Sequence, residues 1–454
     1  MRSSYRLLVL AVVAIMSAAC VGTSPPSPAP SPAQPTNQTQ PTNQTQPAIQ
    51  TQAPTSEIAM ANVARQVVDP SLAIGAADDV NAFGLDLYAK LVGLAPTSGV
   101  VMSPASVSIA LAMAAAGARG ETATQMDAVL HGLGSDTSAD AMNALEAALS
   151  SRSGTFTDFN GTSHELTLGI ANAPLAQQDE AWQQAYLDAI ASRFGAGVRL
   201  VDYKTDPEGA RQQINAWVSD ETHGRISQLL DQGTIDQLTR LVLVNAIYLK
   251  APWLFPFDPS STKPADFNLL DGSTVQVPTM ALQTQLAYAH GQGWQAVELP
   301  YIGSTLAMTV IVPDDLTTFE PQLDGDLFKE IVSGLATHEV DLTLPRFSTE
   351  TKANLSDSLK ALGMPLAFDP NAADFSGMTT QDKLFIAFVI HQANINVDEK
   401  GTEAAAATAV GMSAAAAPTE VVHLAVDRPF VFALRDLQTG AILFLGRITD
   451  PGAN

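Results

Sequence analysis

The stretch Glu399-Lys-Gly-Thr-Glu-Ala-Ala-Ala-Ala-Thr-Ala-Val-Gly-Met-Ser-Ala-Ala-Ala-Ala-Pro-Thr-Glu420 lies between two runs that read as strands. By composition it is a flexible or nascently helical loop of about twenty residues, and a structureless loop of that length inside a compact domain usually serves a function. A second pattern runs through it. Thr402, Ala404, Ala406, Thr408, Val410 and Met412 alternate, uncharged and small or apolar, so in a strand they share one face. Glu403, Ala405, Ala407, Ala409 and Gly411 fall on the other face. The segment therefore reads as a loop in one state and a half-buried strand in another. An Ala-rich hinge with accidental alternation explains the segment, taken alone, equally well.

Outward from this stretch the chain reads as one mixed domain. Leu241 to Val244, Met308 to Val312 and Leu384 to Ile390 are short β-branched apolar runs, the mark of strands. Phe430 to Leu434 and Ile442 to Leu445 flank Leu437-Gln-Thr-Gly440 and read as a hairpin. In the first half, Val80, Phe83, Leu87, Tyr88 and Leu91 recur at helical spacing, with Asp78 or Asp79 as the expected cap. Ser103-Pro104 opens an Ala-rich helical run from Ala105 to Ala118, with Pro early, where helices tolerate it. Helices dominate the first half and strands the second, which predicts an α+β fold rather than alternating βαβ units.

The 454 residues are 46% hydrophobic and carry a formal charge of −23. That sign repels phosphate backbones and excludes nucleic acid as a partner. Arg2 and Arg6 precede the apolar run Leu7 to Met16, and Ser17-Ala18-Ala19 leads to Cys20. This is the pattern of an export signal, too short to span a bilayer comfortably. Cys20 is the sole cysteine, so there is no internal disulfide and no Cys-based metal site. Its placement resembles the lipobox of bacterial lipoproteins, with Ser17 departing from the usual Leu, and implies lipidation of Cys20 and membrane contact through that anchor alone. Residues 21–57 are rich in Pro, Thr, Gln and Asn and repeat the hexamer Gln34-Pro-Thr-Asn-Gln-Thr39 as Gln40–Thr45. With little apolar surface to offset ordering entropy, this segment is expected to be a disordered tether. The expected organisation is a signal at 1–20, a tether at 21–57 and one folded domain at 58–454, exported to the cell envelope.

Enzyme chemistry finds no footing. The seven histidines are scattered, and His164-Glu165 begins a zinc-protease-like motif that fails at Leu168. There is no Gly-x-Ser-x-Gly elbow and no Gly-rich phosphate loop. A Ser/His/Asp triad dispersed in sequence has no spacing that would reveal it. His391, at the end of an apolar strand, reads as a buried hydrogen-bonded residue rather than a base. No metal or cofactor is expected.

Several blocks in order resemble the serpin family. Leu424-Ala-Val-Asp-Arg-Pro-Phe-Val-Phe-Ala-Leu434 is similar to the family signature that follows the reactive loop. Asn245-Ala-Ile-Tyr-Leu-Lys-Ala-Pro-Trp253, Ile214-Asn-Ala-Trp-Val, His223-Gly-Arg-Ile, Val297-Glu-Leu-Pro-Tyr301, Met308 to Asp315, Leu344-Pro-Arg-Phe347, Asp374-Phe-Ser376 and Phe444-Leu-Gly-Arg447 with Asp450-Pro451 match further blocks. The likeness spans roughly residues 75 to 452. It implies about nine helices and three sheets, with an exposed reactive-centre loop at about 399–420 that enters the main sheet as an extra strand after cleavage. It also implies an inhibitor rather than an enzyme: a monomer consumed when it traps a serine protease as a covalent acyl complex.

Residue by residue, the resemblance makes Glu399, Gly401, Thr402, Ala404, Ala406 and Thr408 the hinge. Ser103, Ser106, Asn245 and His391 become the polar shutter, and Trp253 the breach where the loop begins to insert. Sixteen positions beyond Glu399 the scissile bond falls at Ala415-Ala416, within the run Ala414 to Ala417, with Met412 as the other cleavage point considered. Small residues there suit an elastase- or subtilisin-like pocket, not a trypsin-like one. Only Arg152 is basic between Gly120 and Gly154, which argues against activation by a glycosaminoglycan. A non-inhibitory serpin acting as a binding or structural envelope protein is the alternative, although such members usually carry bulky or charged residues in the hinge.

Overall fold

The computed structural model describes residues 57–134, 138–403 and 420–452. Cys20, Ala404, Ala406, Thr408, Met412, Ala415 and Ala416 therefore lie outside the described residues, as does the export signal. With strands numbered in chain order, the first sheet runs β1 (Glu57–Ala59), β5 (Val198–Val201), β4 (Ser163–Gln177), β6 (Leu241–Pro252), β14 (Gly401–Thr402), β13 (Phe388–Asp398) and β12 (Phe347–Asn354). A short β3 (Gly154–Thr157) pairs with the outer half of β4. The second sheet runs β15 (Val421–Ala425), β11 (Ala336–Pro345), β8 (Thr274–Gly291), β9 (Trp294–Pro300), β10 (Leu306–Pro313), β16 (Phe430–Asp436), β17 (Ile442–Ile448) and β2 (Val100–Met102). A further strand, β7 (Lys263–Asn268), lies beside β8. The expected second and third sheets are thus continuous: β8 pairs with β7 through its first half and with β9 through its second, and β11 spans both. Nine α-helices occur among the described residues, and the fold is α+β. None of these helices is long and apolar enough to cross a membrane.

Strand β6 shows why the first sheet is central. Its burial is nearly continuous, as a strand covered on both faces requires. Leu241, Leu243, Ile247, Leu249 and Ala251 join the main core with helices α1 (Leu72–Leu94) and α2 (Pro104–Ala115). Val242, Val244 and Ala246 face a second cluster with Ile214 and Val218 of α6 (Pro207–Glu221). Period-two alternation leaves Asn245 as the polar residue on the main-core face, between Leu243 and Ile247.

Two expectations need correction. Helix α1 starts at Leu72 with Ser71 at its cap position, so Asp78 and Asp79 lie inside the helix rather than at its start. The Leu72–Ala77 segment supplies Ala73, Ala76 and Ala77 to the core and extends the helix toward Pro70. The strand read from Leu384 instead begins at Phe388 and continues to Asp398, because the Ile386 and Ala387 N–H groups donate to Ala367 and Leu241 outside the ladder. By contrast, Ser103 caps α2 with Pro104 in its first turn, and β16–β17 form the antiparallel hairpin, as read.

Candidate functional site

The site is the seam between β6 and β13. From Phe388↔Val242 to Gln392↔Ala246 the two strands pair directly and in parallel. Toward the upper end they separate, and β14 occupies the gap, antiparallel to both: Thr402 lies opposite Val397 and Ala251, and Gly401 opposite Asp398 and Pro252. Gly401 and Thr402 are therefore strand residues of the first sheet, and Glu403 is the last residue described on this side.

The turn that feeds β14 is held from several sides. Arg346 donates to the Glu399 carboxylate from Nε at 2.8 Å and Nη2 at 2.6 Å, and the Thr262 hydroxyl donates to the same oxygen. Burial pushes the Glu399 pKa up, but these hydrogen bonds outweigh it and hold the carboxyl below its ordinary value. The Phe257 and Trp253 N–H groups donate to the carbonyls of Glu399 and Lys400, and Trp253 Nε1 donates to the Asp398 carbonyl at 3.0 Å. The Trp253 ring stacks on Tyr301 at 4.4 Å, and the Tyr301 and Thr402 hydroxyls are hydrogen-bonded at 2.6 Å. At Gly401, φ is +147° and a Cβ would stand 2.1 Å from the Ala251 carbonyl oxygen, so only glycine fits.

Directly after β14, Glu403 adopts φ +52°, rare for a side-chain-bearing residue. Its carboxylate pairs with Arg225 at 3.0 Å, and burial raises its pKa against that partner. The chain rejoins the described structure at Glu420 and enters the second sheet as β15, parallel to β11. Residues 404–419 thus connect one sheet to the other.

Farther down the seam lies the polar cluster. Asn172, Asn245 and His391 occupy one row across β4, β6 and β13, because Asn172↔Asn245 and His391↔Asn245 are register partners. All three turn toward the N-terminus of α2. The Ser103 N–H donates to His391 Nε2 at 3.2 Å, which leaves the proton on Nδ1 to be donated to Asn245 Oδ1. Asn245 Nδ2 donates to Asn172 Oδ1 at 2.7 Å and to the Ser106 hydroxyl, which itself donates to Asn172 Oδ1 at 2.9 Å. Ser103, Ser106, Asn245 and His391 are fully buried. Burial drives the His391 pKa down to about 3, so the ring is neutral, and its unprotonated Nε2 is already engaged by the Ser103 N–H.

The structure brings together the sequence-predicted Ser103, Ser106, Asn245 and His391 at mid-seam, and Glu399, Gly401, Thr402 and Trp253 at the upper end. Sequence reading missed five partners. Tyr301, Arg346 and Arg225 sat inside quoted blocks without a role, and Thr262 carried no signal. Asn172 could have been noticed as the one polar residue in Ile170-Ala-Asn-Ala-Pro-Leu-Ala176. Among the described residues, no group of three or more His, Cys, Asp or Glu could hold a metal ion.

Residues 78–451 match the family model described as Serpin (serine protease inhibitor). The chain is 36% identical over 377 residues to Iripin-8 of Ixodes ricinus, covering 81% of this chain and 92% of that protein. It is 36% identical over 383 residues to the leukocyte elastase inhibitor of Bos taurus, covering 81% and 97%. Among solved structures, the thermophilic serpin Tengpin in its native state superposes with a TM-score of 0.73 at 25% identity, covering 86% of this chain and 97% of that one.

Proposed function

This chain belongs to the serpin family, and from that premise we propose that it is a suicide-substrate inhibitor of a serine protease, consumed in a covalent acyl complex rather than turning over as an enzyme. Strand addition to a sheet, of which serpin loop insertion is a recognised instance, supplies the mechanism.

One observation carries the reading, and it is the register of β14. Thr402 opposes Ala251 on one side and Val397 on the other, in antiparallel register with both. Continuing that register sets Ala404 opposite Leu249 and Ile395, Ala406 opposite Ile247 and Ala393, and Thr408 opposite Asn245 and His391. Both counts agree. The inserting strand therefore unzips the β6–β13 pairing and delivers a hydroxyl between the two groups it parts. Thr408 can both donate and accept there, which offsets the loss of the Asn245–His391 bond. The side chains on this face are small, as passage into a close-packed interior demands.

The bond cut is Ala415-Ala416, in a run of small residues suited to an elastase- or subtilisin-like protease. Inhibition of leukocyte elastase is what the name of the bovine relative states of that protein. The inhibitor is a monomer held at the cell envelope by a lipid on Cys20. Mixing it with an elastase-like protease and separating the products in SDS tests the mechanism. A complex at the summed mass is expected; cleaved chain beside fully active protease would point to the non-inhibitory alternative.

A further inference from the structure

We propose that Glu180 and Asp382 share one proton, and that this proton clasps together two chain segments below the seam, shut in acid and released as the pH rises. Direct pairing of β6 with β13 begins at Val242↔Phe388. Just below it two connections meet: residues 178–183, which leave β4, and residues 378–383, which lead toward β13. Each reaches across to the other. The Gln183 N–H donates to the Met378 carbonyl at 2.7 Å, and the Ala181 N–H to the Gln381 side-chain oxygen at 3.2 Å. Gln381 Nε2 in turn donates to the Asp179 carbonyl at 3.0 Å, and Trp182 bridges to Thr379. Because β4 is paired with β6 down to Ala176↔Leu241, this belt ties the β6 side of the seam to the β13 side.

The charges inside the belt set its chemistry. The Glu180 side chain is fully buried, and neither of its carboxyl oxygens has a hydrogen-bond partner within the belt's own donors. Lys204, from the β5–α6 connection, stands 3.8 Å from Glu180 Oε1. Its Nζ is committed to Asp179, at 3.0 Å from both oxygens, and reaches Asp382 at 3.5 Å. Arg240, just ahead of β6, lies 4.0 Å from Asp382. Fully ionised, Asp179, Glu180 and Asp382 would face only two cations, with Glu180 buried and without a donor, which is unfavourable. A proton on Glu180 removes the excess charge and creates a donor, its O–H, for the Asp382 carboxylate. Asp382 keeps its charge because it is 39% exposed and beside both cations. Burial first, and then the contact with Asp382, push the Glu180 pKa up to about 7. Opening the belt returns Glu180 toward its ordinary 4.5, so the closed form binds the proton more tightly and acid favours closure. Between these two values opening should become about tenfold easier per pH unit, then level off above the upper one. This slope runs opposite to that of His391, whose contribution fades as pH falls.

Hydrogen exchange on the full chain reads the belt. Corrected for intrinsic base catalysis, protection of the Ala181 and Gln183 amides should fall at least about tenfold from about pH 5 to about pH 7. The slope should be absent in Glu180→Gln, whose amide can donate to Asp382 at every pH. Infrared difference spectra of wild type against that variant should show a protonated-carboxyl band that titrates near 7. Asp382→Asn should bring its midpoint down by about one pH unit or more, since the like charge is gone. The same exchange slope in both proteins, or no such band, overturns the shared proton. A midpoint unmoved in Asp382→Asn overturns Asp382 as the partner. Insertion along the whole seam must also part the belt, a consequence that rests on the inhibitory reading above. The rate of complex formation with an elastase-like protease is taken as the ratio of wild type to Glu180→Gln at each pH, which cancels the protease's own titration. That ratio should rise severalfold over the same pH span. A flat ratio in a preparation that does form the complex overturns the link to insertion. A preparation that forms no complex counts against the inhibitory reading, while exchange and infrared spectra still decide the clasp.

Discussion

The two ends of one seam are built on opposite principles. At the upper end β14 already parts β6 from β13, secured by charged and aromatic groups: Glu399 on Arg346, Trp253 on Tyr301, Thr402 on Tyr301. At mid-seam the same two strands touch, and a neutral, fully buried network of Ser103, Ser106, Asn245 and His391 bridges them. Partial exposure lets the upper end use an ion pair, since Arg346 reaches solvent while Glu399 does not. Below, where no water reaches, only neutral hydrogen bonds are affordable, and each group must be satisfied. The seam is therefore a fork, open and held at its tip and locked at its crotch. In the proposed insertion, lengthening β14 would move the fork point, and every further residue would have to fit what the lock leaves.

The largest expected effect breaks the comparison at the tip. Thr402 is buried within the sheet, so Thr402→Arg places an unpaired charge there, a penalty of several kcal/mol (roughly 3–5). The variant should be cleaved as a substrate, with the stoichiometry of inhibition rising at least tenfold in titrations against an elastase-like protease. Inhibition at unchanged stoichiometry would rule out insertion through β14.

Next comes the lock itself. His391→Ala orphans the Ser103 N–H and Asn245 Oδ1, which should destabilise the native form by about 2–5 kcal/mol, read as a lower melting temperature. The pH dependence carries the same signature. An unfolded imidazole binds its proton near 6.5 and the folded one only near 3, so between these values the unfolded chain holds the extra proton. Native stability should fall as pH falls through that window, and the His391 part of this slope should vanish in a His391→Gln variant.

Thr408→Val separates the two regions cleanly. The hydroxyl is proposed to act only once it reaches Asn245 and His391, so the melting temperature of the uncleaved form should not move. The stability gained on loop cleavage should instead shrink by about 1–2 kcal/mol, measured by denaturation before and after nicking. An equal loss in both forms would place Thr408 elsewhere.

The smallest effect belongs to the latch. Glu399 is held below its ordinary pKa, so its contribution is present above the carboxylate range and lost as pH falls through the folded value. Glu399→Gln should cost about 1 kcal/mol at neutral pH, because Arg346 is half-exposed. Proteolytic susceptibility of the hinge should rise modestly with it.

Much of this was legible in the residues, for identifiable reasons. Period-two alternation from Thr402 onward was readable as a strand because side-chain direction in a strand depends on sequence parity alone, and Thr402 itself stands in β14. His391 was readable as a polar residue at the end of an apolar strand, which only hydrogen bonding reconciles with burial, and Ser103 as the opening of a helix. Asn172 stood out as the one polar residue of its run, but a single Asn carries no spacing that names its partners. Arg346 and Tyr301 escaped because their partners, Glu399 and Thr402, are remote in sequence.

By itself, then, the sequence determined the α+β class, the family and the polar residues that had to find partners in the interior. These follow from composition, parity and ordered motifs, all local properties of a chain. Only the tertiary structure decided that β14 is seated between β6 and β13, and that Asn172 closes the row. Register between strands joined by long excursions is set by packing on both faces of the sheet, which no stretch of sequence contains.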